Sequence, residues 1–171
     1  MGESKSARQY WLVKSEPEAY SFSDLYIESD QTTCWDGVRN YQARNFMRDQ
    51  MRLGDGVLFY HSNTSPPGVV GIAEVVREAY PDHTQFEPKA LKYDPKSYMN
   101  APRWWMVDIQ ARLALQSQVT LAQMRREASL SHMRLLQRGN RLSILPTTEA
   151  DFWTIIQMGG VQSVHWKHEC V

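Results

Sequence analysis

Short apolar runs that stop at proline or glycine constrain the fold of this chain more than any other feature. Tyr10–Val13 precedes Pro17, Ser143–Leu145 precedes Pro146, and Val57–Tyr60 precedes a proline-rich loop. Runs of this length and composition are typical of β-strands, and proline does not continue a strand's hydrogen-bonded ladder. The segments 69–76 and 104–115 predict further strands, so several short strands form the core of the expected fold.

Helical segments lie between these strands without alternating regularly with them. The apolar spacing predicts an amphipathic helix over 40–51 and a helix that begins at Thr120. Two more helices are expected, one capped by Ser21 or Ser23 and one capped by Thr147 or Thr148. This order favours an α+β fold, a partly closed mixed β-barrel with peripheral helices, over a doubly wound α/β fold.

Size and composition favour one globular domain. The chain has 171 residues, 42% of them hydrophobic and 22% charged, which is near the average for soluble domains. We expect a disordered segment over 1–9, a domain over 10–158 and a tail over 159–171. No apolar run reaches the roughly 18 residues of a membrane helix, and the first residues lack the apolar core of a secretory signal. A cytoplasmic location, or a nuclear one in a eukaryote, with no membrane partner, is therefore expected.

The net charge of +0 argues against a protein that coats nucleic acid through bulk electrostatics. It leaves room for a local basic groove. Cys34 and Cys170 are expected to be reduced thiols, since two distant cysteines do not make a disulfide framework. The tail pattern His165-x-x-His168-x-Cys170 has zinc-type ligands but no second ligand cluster, so no metal and no cofactor are expected.

The segment 35–45, WDGVRNYQARN, carries the densest candidate binding chemistry. It joins the Trp35 ring, the amide of Asn40 and the guanidinium groups of Arg39 and Arg44 within one turn and helix start. A pocket for a nucleobase needs a flat apolar face, amide donors and acceptors, and cations for phosphate. The alternative is a capped helix whose tryptophan only fills the core.

Three other positions admit a functional and a structural interpretation. Lys14 and Glu16 share one face of the first strand, where they can form an acid/base pair or a surface ion pair. His61 follows a strand, a place where sites are often built, although a lone histidine is more often structural. Of Trp104 and Trp105, one is expected in the core and the other in a pocket or beside Arg103.

In this order, the segments resemble the EVE domain family over residues 10–158. The resemblance is carried by YWLVKSEP at 10–17, WDGVRNYQARN at 35–45, FYHS at 59–62, PPG at 66–68, VGIAEV at 70–75, YDPKS at 93–97 and PRW at 102–104. It implies a PUA-like fold, similar to that of the YTH and ASCH domains. It also implies a non-catalytic protein that binds DNA or RNA through a modified base, derived from cytosine or adenine and flipped out of the strand. The sequence does not define an oligomeric state, and a monomer is favoured.

The matching positions supply the predicted site. The expected base pocket comprises Ser15, Trp35, Asn40, Tyr60, His61, Ser62 and Trp104. The expected contacts to the nucleic-acid backbone are Lys14, Arg39, Arg44 and Arg103. Two alternatives stay open: a small ASCH-like amidohydrolase that uses Lys14 and Glu16, or His61, for acid/base catalysis, and a protein-interaction module built on the proline-rich loops.

Overall fold

The computed structural model of the protein describes residues 7–168. Within that range the strands are β1 (Tyr10–Ser15), β2 (Thr32–Cys34), β3 (Gly56–His61), β4 (Gly68–Pro81), β5 (Trp105–Thr120) and β6 (Ile144–Thr147). The α-helices are α1 (Phe22–Ile27), α2 (Tyr41–Asn45), α3 (Leu121–Arg126) and α4 (Glu149–Met158).

All six strands join one mixed sheet in the order β2-β5-β4-β3-β1-β6. Strands β1 and β3 run parallel, and the other neighbouring pairs are antiparallel. The edge strands β2 and β6 are not paired with each other in the described range, so the barrel is not closed. The expected α+β fold with a partly closed mixed sheet is confirmed.

The long strands β4 and β5 curve the sheet through several register shifts. Bulges of this kind bend a strand and increase its local twist. One shift lies between Val69 and Gly71, and there the ring of Phe22 from α1 covers the glycine. A Cβ atom at Gly71 would lie only 2.5 Å from the Phe22 ring. The glycine therefore marks both a bulge and a close approach of helix α1 to the sheet.

Helix α2 begins where the sequence predicts it. Asn40 caps it, because its side-chain oxygen accepts a hydrogen bond from the Ala43 N–H at 3.0 Å. After Asn45 the helix continues as a π-helical turn, Phe46–Gln50. The predicted helix from Thr120 is shorter than expected: α3 ends at Arg126, and separate 3₁₀ turns follow.

The chain after α4 packs against the domain in the range that the structure describes. Val161 is buried, and the Trp166 ring lies 5.9 Å from the ring of Phe152. The backbone N–H groups of Lys167 and His168 donate to the fully buried carboxylate of Glu74, each at 2.8 Å.

The chain before β1 meets this tail. The Arg8 guanidinium stacks on Trp166 at 4.3 Å and donates to the His168 carbonyl at 2.7 Å. Packing is thus continuous across the expected boundaries at residues 10 and 158. The ends of the two expected terminal segments, residues 1–6 and 169–171 with Cys170, lie outside the described residues.

Within residues 7–168, no helix combines the length and apolar character needed to cross a membrane.

Candidate nucleic-acid site

A cavity of about 850 Å³ opens beside the carboxyl ends of β1 and β3. Parallel pairing brings these two strand ends to the same edge of the sheet, where Ser15 and Ser62 meet. The segment 35–40, which follows β2, forms the opposite wall. The volume is within the range of small-molecule pockets, and it exceeds what one nucleobase needs.

Six of the predicted site residues line this cavity. From the predicted base pocket they are Ser15, Trp35, Asn40 and Ser62, and from the predicted backbone contacts they are Lys14 and Arg39. They come from three separate segments that the fold brings together.

Trp35 serves the core and the cavity at once. Only 8% of the residue is exposed, and its ring packs edge-to-face against Phe59 at 5.5 Å and Tyr20 at 6.4 Å. Its backbone N–H donates to the Val107 carbonyl at 2.7 Å, which ties the cavity wall to β5. Both interpretations of Trp35 therefore describe part of its role: the ring is anchored in the core and also borders the cavity.

Internal hydrogen bonds hold the polar groups of the cavity in place. The Ser15 hydroxyl donates to the Tyr20 carbonyl at 2.6 Å, and the Ser62 N–H donates to the Ser15 carbonyl at 3.0 Å. The Asn40 oxygen caps α2, which leaves its amide nitrogen available as a donor. A preorganised set of hydroxyl and amide groups is suited to reading the polar edge of a base.

Tyr60 and His61 lie behind the cavity and do not line it. Tyr60 is 3% exposed, and its ring contacts Lys14 Nζ at 5.9 Å. The Nε2 atom of His61 accepts a hydrogen bond from the Phe22 N–H at 3.1 Å. Burial lowers the pKa of His61, which favours the neutral imidazole that this bond requires. The structure thus gives both residues a place in the framework instead of at the cavity surface.

Trp104 is also away from the cavity, in a second group that we call the Tyr41 cluster: Tyr41, Arg44, Asp94, Arg103 and Trp104. The Trp104 ring is 5% exposed because Tyr41 stacks on it at 4.9 Å, and its indole N–H donates to Asp94 at 2.6 Å. Tyr41, at 47% exposed, is the accessible ring of the pair. Tyr41 covers a face of the Trp104 ring, so Tyr41 is the ring of this stack that is open to a base.

The arginines of the Tyr41 cluster are partly engaged within the protein. Arg44 lies 4.7 Å above the Tyr41 ring and donates to the Arg103 carbonyl at 2.8 Å. Arg103 bonds the Tyr41 hydroxyl and pairs with Asp94 at 3.3 Å. Each guanidinium keeps further N–H donors beyond these bonds.

Arg39 connects the cavity to the Tyr41 cluster, and its donors are used inside the protein. Its guanidinium makes hydrogen bonds of 2.6–3.0 Å to the Lys92 and Val38 carbonyls, the Thr84 hydroxyl and the Asp82 carboxylate. Burial opposes ionisation of Asp82, yet hydrogen bonds from Thr84, Gly37 and Arg39 hold its pKa below the usual value. Arg39 is therefore a clamp between the cavity wall and the segment 82–92, which argues against its expected contact with phosphate.

Two further cations that were not predicted from the sequence line the cavity, Lys92 and Arg141. Both are exposed, and no described carboxylate lies within ion-pair distance of either side chain or of Lys14. Lys92 and Arg141 come from irregular segments far from 35–45 in sequence, so no local motif points to them. The only usable signal was the length of the loop 81–102, which often indicates function.

The acidic groups at the cavity are Glu16 and Asp36. Partial desolvation, with repulsion from Asp82, raises the pKa of Asp36. Cys34 also lines the cavity, and burial, followed by Asp36 and Asp108, raises the pKa of its thiol. A thiol that is hard to ionise is a poor nucleophile. Among the described residues, no three His, Cys, Asp or Glu side chains are grouped to hold a metal ion.

Fold and site together define a class: an α+β protein of PUA-like fold with a cavity lined by both apolar and polar groups, one aromatic wall and a cationic rim, placed where two parallel strands end. The sequence model of the EVE domain matches residues 9–158. The chain therefore belongs to the EVE domain family, and the expected family is confirmed.

Several known proteins are similar to this one. Human thymocyte nuclear protein 1 is 43% identical, over 90% of this chain and 75% of its own. The crystal structure of that human protein in complex with DNA containing 5-methylcytosine matches with a TM-score of 0.84 and 41% identity, over 91% of this chain and 99% of that chain. A hypothetical protein from Leishmania major matches with a TM-score of 0.85 and 42% identity, over 91% and 97% of the two chains.

A more distant match concerns the fold alone. The YTH domain of a Zygosaccharomyces rouxii protein, solved in complex with N6-methyladenosine RNA, gives a TM-score of 0.53 at 10% identity, over 95% of this chain and 91% of that chain. It supports the assignment of a PUA-like fold.

Proposed function

We propose that this protein is a non-catalytic reader that binds a modified base, flipped out of DNA or RNA, in the cavity beside β1 and β3. The observation that carries the proposal is the cavity itself, with Trp35 on one wall and three cations around it that form no ion pair with a carboxylate in the range 7–168. The human relative solved with DNA containing 5-methylcytosine supports the same function and makes that base the first candidate.

The base would lie against Trp35, and its polar edge would meet Ser15, Asn40 and Ser62. Stacking of a base on an aromatic ring is worth roughly 1–3 kcal/mol. Extrusion of a base from a duplex costs a few kcal/mol. Stacking and edge contacts together therefore have to offset that cost. The contacts of the added methyl group would account for the difference in binding free energy between a modified and an unmodified base.

The proposal also changes the expected contacts to the nucleic-acid backbone. Lys14, Lys92 and Arg141 border the cavity without a carboxylate partner, so they are suited to phosphates on either side of the flipped nucleotide. The arginines of the Tyr41 cluster provide a second contact region through their remaining donors. Arg39 acts indirectly, because it fixes the position of Lys92.

Absence of catalysis is part of the proposal. Lys14 and Glu16 are not within ion-pair distance of each other, and the raised pKa of Cys34 disfavours a thiolate nucleophile. His61 is occupied by helix α1. None of the acid/base groups suggested for an amidohydrolase is thus paired with a nucleophile at the cavity.

A binding titration tests the base specificity. Short DNA and RNA duplexes would carry cytosine, 5-methylcytosine, adenine or N6-methyladenine at one position, at fixed near-physiological salt. We expect at least a tenfold preference, about 1.4 kcal/mol, for one modified base. Asn40→Asp should remove this preference while keeping the helix cap. Asn100→Asp makes the same charge change on a residue that does not line the cavity, and it should leave the preference intact. Equal binding to all four bases, in both DNA and RNA, would refute the proposal.

The salt dependence of binding tests the reassigned backbone contacts. Each lost phosphate contact reduces the slope of log K against log salt by about 0.9 for a DNA duplex. Lys92→Ala and Arg141→Ala should each reduce the slope by about that amount. Lys167→Ala, an exposed lysine at the opposite end of the sheet, serves as the control and should not change it. Unchanged slopes for Lys92→Ala and Arg141→Ala would place the phosphates elsewhere.

A further inference from the structure

The turn over residues 87–94, which we call the Leu91 turn, stands beside the cavity with an apolar side chain at its tip. Leu91 is 96% exposed, more than any other large hydrophobic residue in the described range. Its neighbour Lys92 lines the cavity. A single exposed leucine needs no explanation in general. Leu91 differs from such residues in its position beside the cavity, in the hydrogen bonds that anchor its turn and in the lysines around it.

The Leu91 turn is tied firmly to the cavity wall. Two hydrogen bonds from Arg39, of 3.0 and 2.6 Å, hold the carbonyl of Lys92. The Lys92 side chain lies against Gly37, where an added Cβ would be 3.3 Å from its Cγ atom. Backbone bonds Ala90 to Glu87 and Tyr93 to Ala90, at 2.9 and 3.1 Å, close the turn on both sides of Leu91.

Electrostatics around the tip match a nucleic-acid duplex. Lys89, Lys92 and Lys96 are exposed along this stretch. The turn also carries two carboxylates: Asp94 is engaged by Trp104 and Arg103, and Glu87 is exposed at the start of the turn, so the three lysines outnumber the free carboxylate. An apolar tip between lysines therefore faces solvent next to a cavity large enough to hold a base. Phosphates are the partners that such lysines attract, and stacked bases are the apolar surface that lies between two phosphate backbones.

We propose that Leu91 is a wedge that enters a duplex at the position vacated by the flipped base. This inference rests on the proposed function and adds to it the form of the partner, a paired duplex instead of a single strand. Extruding a base removes its stacking on both neighbours, and proteins that unstack base steps commonly insert an apolar side chain there. Leu91 would replace part of that lost contact. The flipped base would at the same time occupy the cavity that the adjacent residue, Lys92, lines.

The test compares three probes that share one 5-methylcytosine: a fully paired DNA duplex, the same duplex with an abasic position opposite the 5-methylcytosine, and the single strand. Leu91→Ser should weaken binding to the paired duplex by about tenfold, because the opened duplex loses its apolar filler. The abasic duplex is already partly open and the single strand has no gap to fill, so their affinities should change by less than about twofold. Leu91→Met, which keeps the apolar bulk, should bind all three probes like the unmodified protein.

Leu53→Ser is the control variant, because Leu53 is also exposed, at 44%, and lies before β3 at the opposite end of the sheet. It should bind all three probes normally. If Leu91→Ser binds the paired duplex as tightly as the unmodified protein, while 5-methylcytosine is still preferred over cytosine, the wedge is refuted and the reader function stands. An equal loss on all three probes would also refute it, since Leu91 would then be a general contact. Failure of the unmodified protein to prefer 5-methylcytosine would overturn the wedge together with this assignment of the base.

Discussion

His61 shows how one side chain can join two elements and make the fold sensitive to pH. Its Nε2 atom accepts the first N–H of helix α1, and its ring packs edge-on against Phe59 at 5.7 Å. Burial lowers its pKa from 6.5 in the folded protein. Protonation would turn the acceptor Nε2 into a donor facing another donor, so the folded state resists it.

The first prediction concerns this histidine. Because the pKa of His61 is lower in the folded than in the unfolded state, the unfolded state binds more protons below pH 6.5. The stability linked to His61 is therefore complete above pH 6.5 and is lost as the pH falls through the lowered folded pKa. We expect the free energy of urea unfolding to decrease between pH 7.5 and pH 5, and to decrease less in His61→Gln. His165→Gln, an exposed control, should retain the full decrease. An identical pH dependence in His61→Gln would show that another group is responsible.

Single residues were predictable from sequence where local bonds decide their role. The helix start at Asn40 could be predicted because the partner of its capping side chain, Ala43, is only three residues away. Trp104 could not be placed, since its exposure depends on Tyr41, which reaches it from a different element. Lys92 was missed for a similar reason: its position depends on Arg39, and the two are far apart in sequence.

Helix α1 packs against strand β4 at Gly71, where the backbone of the strand lies so close to the helix that no side chain fits. The Phe22 ring lies over Gly71, and the ring also packs against Phe59 at 5.4 Å. Strand β4 is hydrogen-bonded to both β3 and β5, so it cannot move away from the ring without breaking the ladder.

The second prediction follows from this contact. Gly71→Ala places a methyl group within 2.5 Å of the Phe22 ring and should cost about 1–3 kcal/mol of unfolding free energy. Phe22→Leu removes most of the obstructing ring. The double variant should therefore be more stable than the sum of the two single changes implies, and urea unfolding of all four proteins measures that coupling. If the two changes in unfolding free energy simply add, the backbone of the strand, and not the Phe22 ring, shifts to make room for the added methyl group.

At the scale of elements, the starts of helices could be predicted from the sequence better than the positions of strands. Ser21, Asn40, Thr120 and Thr148 each cap a helix at or beside the predicted position, because capping depends on residues two or three places away. Strand β2 was not predicted, since its three residues become a strand only through pairing with β5. The early end of α3 and the π-helical turn after α2 likewise have no local signature.

For the whole molecule, the cavity and the contact between the two ends of the described chain lie at opposite ends of the sheet. The cavity lies at the carboxyl ends of β1 and β3, and the Arg8–Trp166 contact lies near their amino ends. The six residues of β1 separate the two by about 20 Å, at roughly 3.3 Å per residue. The segment 159–168 could not be assigned to the domain from sequence, because its packing residues follow no helical or strand period.

The third prediction separates these two ends. Trp166→Ala should lower the unfolding free energy by about 2 kcal/mol, less than a fully buried tryptophan because the ring is only partly covered. His165→Ala, the exposed neighbour, should have little effect. Affinity for a duplex with the preferred base should be unchanged in Trp166→Ala at a temperature where the variant is folded. A loss of affinity would mean that the tail contributes to recognition.

The bond between Arg8 and the His168 carbonyl also places both ends of the described chain side by side, on the face away from the cavity. A fluorescent reporter attached to a side chain near Arg8 or His168 would therefore lie far from a duplex bound at the cavity. The same geometry suits this fold to the design of molecular probes. A detector can be attached at the end of the sheet near Arg8, while the lining of the cavity at the other end is varied by substitution.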